Sequence, residues 1–164
     1  MATKQRDNAR AFYVTLFAAL VLAIVPLPAI VAAVWPFWMG LVVIYWALEY
    51  PRLMTLGLAF AVGLVMDFLT VSLLGLHALR LVILAYLVLR FRARLRFFPP
   101  WQLGLSVLAL LINDRIILLW INTLTGEPLP PLGYWIPALV GGLLWPPLFI
   151  MLDRVRSAAR TRTI

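Results

Sequence analysis

The 164-residue chain contains no cysteine. Disulfides, thiolate nucleophiles and cysteine-based metal sites are therefore excluded. A single histidine, His77, rules out a multi-histidine metal site within one chain. Acidic groups are also scarce, at six Asp and Glu in all. The sequence has no glycine-rich nucleotide loop, no metal-ligand cluster and no defensible Ser/His/Asp set. No cofactor is expected. Ser72, His77 and Asp67 lie close in sequence, but a turn around a buried acid explains them better than catalysis does.

What is abundant is apolar. Hydrophobic residues make up 65% of the chain, charged residues only 12%, and mean hydropathy is +1.02. Soluble domains carry about 25% charged residues. One core of this size cannot hide so much apolar surface, so the excess must face lipid. The length fits a single domain, residues 1–164. A start resembling a signal peptide, Lys4, Arg6 and Arg10 before Phe12–Val25, is read as an uncleaved first helix because further apolar segments follow.

The pattern predicts an all-α membrane protein, a bundle of six transmembrane helices over about residues 11–30, 36–50, 53–71, 76–89, 101–124 and 134–152. The second is short for a hydrocarbon core of roughly 30 Å, and its boundary with the first is the least defined. Pro26 and Pro28 should loosen the end of the first helix, and Pro146 and Pro147 should kink the sixth near Gly142. Trp35, Trp38, Trp101 and Trp135 lie near helix ends, as interfacial tryptophans do.

The net charge of +8 comes from cations placed between apolar runs. Lys4, Arg6 and Arg10 precede the first helix, Arg52 follows the second, Arg90, Arg92, Arg94 and Arg96 follow the fourth, and Arg154, Arg156, Arg160 and Arg162 follow the sixth. With six spans, all of these lie on one side, and the opposite loops carry no cation and hold Glu127. Positive loops stay in the cytoplasm, so both termini are expected there, with the cations against anionic lipid headgroups. No soluble module remains for nucleic acid.

The other two cations, Arg80 and Arg115, fall inside helices, with Asp67, Asp114 and His77 at similar depth in the outer half of the membrane. An ionisable side chain at the bilayer centre costs about 2.5–3.5 kcal/mol on insertion scales. Internal pairing, Asp67 with Arg115 or Asp114 with Arg80, is the plainest solution. Contact with a partner or ligand is the next, and a proton relay the third. Ala59, Gly63 and Asp67 share one helix face at four-residue spacing, which lets another helix approach closely. Gly57 and Ala61 form a second small pair, and Gly75 marks the next turn.

Read together, Ile44–Ala47 with Pro51, Gly63–Asp67, Leu74–Leu79, Ala85–Leu87, Trp101-Gln102, Asp114 and Leu144–Pro146 before a basic tail resemble the MreD family of rod shape-determining membrane proteins. The likeness covers nearly the whole length. Val71 departs from it, since members often have glycine there, and Arg115 beside Asp114 is unusual. The resemblance implies a non-enzymatic scaffold in the bacterial inner membrane. Such a scaffold binds MreC and acts with RodA, a class B penicillin-binding protein and, indirectly, MreB in lateral peptidoglycan synthesis. It also implies a fold similar to the substrate-binding subunits of energy-coupling-factor transporters. The alternative function is a small-molecule-binding subunit like those, with the intramembrane charges lining its pocket. The orientation is directly testable: reporter fusions at Glu127 and at the carboxyl end should report opposite compartments, and a shared compartment would sink the six-span reading.

Overall fold

The computed structural model describes residues 2–126, 128 and 130–161. The side chains of residues 2–8, 159 and beyond, and all of Glu127, lie outside the description. The described chain is helical throughout: α1 (Ala2–Ile24), α2 (Ala29–Ala32), α3 (Trp38–Glu49), α4 (Leu56–Leu69), α5 (Leu76–Leu95), α6 (Pro100–Leu124) and α7 (Ile136–Thr161), with a 3-10 turn at Leu132–Trp135 leading into α7. Two stretches, Pro100–Leu124 and Leu132–Ala158, are long and apolar enough to cross a membrane. Ala9–Ile24, Trp38–Glu49 and Leu56–Leu69 are apolar but shorter.

Local sequence explains the boundaries. The Thr55 side chain accepts the Leu58 N–H and starts α4. Pro100 sits in the first turn of α6, where its missing N–H costs nothing. The first helix stops at Ile24 instead of running to Ile30, because Pro26 and Pro28 cannot donate to the preceding turn. The fourth expected segment does not stop at Leu89. Its helix continues through Arg90, Arg92 and Arg94 to Leu95, since arginine is a good helix former. α7 runs unbroken through Pro146 and Pro147.

The core is built around α3. Every residue from Met39 to Leu48 is buried, as expected of a helix that is apolar on all sides. α1, α5 and α7 pack against it, α4 lies on α5, and α6 bridges α5 and α7. One polar contact locks α1 to α3: Trp46 Nε1 donates to Thr15 Oγ1 at 2.9 Å, with Phe12 edge-on to the indole. Large apolar side chains such as Phe17, Phe68, Trp120 and Leu143 point outward. That inversion suits a lipid solvent.

Two helix pairs approach closely through glycine. A Cβ on Gly142 would sit 2.8 Å from Leu108 of α6. The α4–α5 contact is tighter: a Cβ on Gly63 would lie 2.2 Å from the Ala78 Cα. Ala59, on the same face, is fully buried. Gly57 has nothing within 4 Å, and Ala61 is exposed, so that second pair makes no close contact within the chain. Gly63→Ala should therefore push α4 from α5 and lower stability by about 1–3 kcal/mol. Gly57→Ala should leave thermal unfolding in detergent unchanged or slightly improved; equal losses for the two would show that the approach is not tight.

Candidate functional site

The charges that fall inside helices gather at the end of the bundle that carries the α4–α5 turn. Asp67, in the last turn of α4, is almost fully buried. Its Oδ1 accepts from the backbone N–H of His77 at 2.8 Å and from Ser72 Oγ at 2.9 Å, and lies 2.9 Å from His77 Nδ1. Its Oδ2 accepts from the N–H of Gly75 at 2.8 Å and, more weakly, of Ala78 at 3.4 Å. The first N–H groups of any helix lack internal partners and carry positive charge. Gly75, which starts α5 with φ +94°, has no side chain to cap them. Asp67 does so from the neighbouring helix, and that occupies both its oxygens. The pair with Arg115 is not formed.

The other pairing is formed. Arg80 Nε and Nη2 meet Asp114 Oδ1 and Oδ2 at 2.8 and 2.6 Å, joining α5 to α6 as a two-pronged bridge. Both side chains are buried. The Arg80 guanidinium also lies 4.2 Å above the ring of Phe37, just before α3. Arg115 is half-buried and meets no carboxylate among the described residues. It sits 5.0 Å from the ring centre of Tyr134, whose hydroxyl donates to the Arg115 carbonyl at 2.8 Å.

This geometry limits the chemistry. An activated serine needs a histidine that takes the serine proton on one ring nitrogen while an acid holds the other. Here Ser72 Oγ, at 3.1 Å, and Asp67 Oδ1 both address Nδ1 of His77. The imidazole therefore cannot relay between them. Beside the cluster lies a cavity of about 190 Å³, lined among others by Trp35, Trp38, Thr70, His77, Arg80 and Arg115.

At the opposite end, Arg92 donates from Nε to the Leu48 carbonyl at 2.6 Å, closing the last turn of α3. Arg90, Arg94 and Arg96 are exposed. Arg156 bridges Glu49, at 3.0 Å, and Asp153. Pro146 lines a groove there with Trp145 and Arg96. Sequence reading passed over Thr15 and took Arg156 only as one of the tail cations. A threonine inside the apolar first helix and the Asp153/Arg156 spacing were the available signals.

Among the described residues every regular element is a helix, two stretches are long and apolar enough to cross a membrane, and the buried charges tie the chain's own helices together. The family model described as rod shape-determining protein MreD matches residues 6–155, and the chain belongs to the MreD family. A relative from Haemophilus influenzae, the rod shape-determining protein MreD, is 29% identical over 142 residues, covering 87% of this chain and 88% of the relative. No solved structure matches the chain. Members of this family are non-enzymatic scaffold components of the rod-shape machinery, and so is this chain.

The cluster can be dissected by double substitution in detergent-purified protein. Arg80→Gln and Asp114→Asn should each destabilise, by up to about 3–5 kcal/mol as for buried pairs in soluble proteins. Their combination should cost clearly less than the sum. Asp67→Asn should also lower the Tm, but combined with Arg80→Gln or Arg115→Gln it should recover nothing. Rescue by Arg115→Gln would mean that Asp67 answers a guanidinium and not a helix start.

Proposed function

We propose that this chain is a six-span inner-membrane scaffold subunit of the cell-elongation machinery, with both termini cytoplasmic. It binds the single-span partner MreC and, with RodA, a class B penicillin-binding protein and indirectly MreB, directs lateral peptidoglycan synthesis. The observation that carries this reading is the family match across residues 6–155. The structure supports it in two ways. Asp67, Asp114 and Arg80 hold helices together, so they do not form an open path for protons or solutes. Exposed Arg90, Arg94 and Arg96 lie together at the end of α5, suited to the anionic inner leaflet or to cytoplasmic partners.

The competing reading, a small-molecule-binding subunit related to transporter components, rests on the cavity beside Arg80 and Arg115. At about 190 Å³, it falls below the roughly 300–1,000 Å³ typical of small-molecule pockets. The scaffold reading is therefore preferred.

The deciding experiment is affinity purification of the tagged chain from membranes, with depletion in the same strain. MreC should co-purify, and depleted cells should lose rod shape. Purification free of MreC, from cells that stay rods on depletion, would overturn the reading.

A further inference from the structure

The internal pairs leave the cavity beside Arg80 and Arg115 unexplained. Arg80 uses Nε and Nη2 on Asp114, so its Nη1 remains. Trp38 Nε1 is buried and has no acceptor. Arg115 brings a positive charge that is held by Tyr134 and makes no ion pair among the described residues. The two nearby carboxylates are already saturated, Asp67 by the start of α5 and Asp114 by Arg80. The cavity thus offers one cation without an ion-pair partner and spare N–H donors, and it suits an anionic oxygen ligand.

We propose that this cavity binds the phosphodiester of a membrane phospholipid, in the outer leaflet if the chain is oriented as above. Arg115 supplies the charge, and Trp38 Nε1 and Arg80 Nη1 supply directional donors. The rest of the wall selects a lipid over an acidic side chain from a partner. Ala23, Trp35 and Leu118 give it an apolar half, matching a glycerol backbone and the start of its acyl chains. Tryptophan is the residue that favours this headgroup depth. The volume suits a headgroup phosphate.

The test is native mass spectrometry of the full chain in mild detergent, titrated with phosphatidylglycerol and with diacylglycerol of the same acyl chains. The wild type should hold the phospholipid roughly tenfold or more tightly, the scale of a charged hydrogen bond. Arg115→Gln should abolish that preference, and Trp38→Phe, which removes a single N–H, should weaken it several-fold. Gln102→Ala, in the first turn of α6 and outside the cavity wall, should leave it unchanged. Should Arg115→Gln not fold, Trp38→Phe decides alone. Equal binding of both lipids, a preference that survives Arg115→Gln, one undiminished by Trp38→Phe, or one lost with Gln102→Ala would each overturn the proposal. So would an Arg115→Gln protein that keeps its lipid but loses a membrane partner, since the occupant would then be that partner's carboxylate. Binding is read on the isolated chain, so failure here leaves the MreC reading intact.

Discussion

The carboxylate of Asp67 fastens two helices where their backbones nearly touch. At Gly63 the α4 backbone lies so close to Ala78 that no side chain fits between them. That approach brings the last turn of α4 against the first turn of α5, and so buries bare N–H groups that need an acceptor. A buried unsatisfied donor costs about 1–3 kcal/mol. Asp67 takes up the N–H groups of Gly75 and His77, and weakly that of Ala78. Small residues and the acid on one face are therefore two halves of one device. The glycine permits the contact, and the carboxylate satisfies what the contact would otherwise strand.

Once α5 is fixed at its start, it positions both ends of the central helix. Arg80, just beyond the first turn of α5, reaches Asp114 on α6 and lies over Phe37, immediately before α3. Three turns further on, Arg92 closes the last carbonyls of α3. α3 has only 12 residues, roughly 18 Å of helix, and its middle is apolar throughout. Cations from α5 hold it at either end. Glu49 and Arg156 add a tie from α7 at the Arg92 end.

The membrane class and the family were legible in the sequence because both are long-range signals: apolar runs, the placement of cations, and short motifs kept in order. Partners of single side chains were less legible. Arg80 and Asp114 carry complementary charges, so their pairing was among those the sequence offers. Beside the side chains of Ser72 and His77, the ligands of Asp67 are backbone N–H groups, which almost every residue has, and nothing in the letters marks those of Gly75 and His77 as exposed. The arginine run was placed in a loop because charge leaves the bilayer. Leaving the bilayer does not require leaving the helix, and α5 continues through Arg94. Pro26 argued the other way: apolar composition continues to Ile30, yet the ring ends α1 at Ile24.

The turn after Asp67 shows how far this device governs its surroundings. Val71 adopts φ +51°, a left-handed conformation that a β-branched residue strongly disfavours, and its side chain is 92% exposed. No packing of its own repays that strain, which is of order 1–3 kcal/mol. The neighbours explain it. Ser72 must turn back to reach the Asp67 carboxylate, and its N–H returns to the Asp67 carbonyl at 3.2 Å. Gly75, also left-handed, must then present its N–H to the same carboxylate. Hydrogen bonds to a charged group contribute about 1.5–3 kcal/mol each, so several on one carboxylate outweigh one strained residue. A glycine at this position would adopt the same turn without strain.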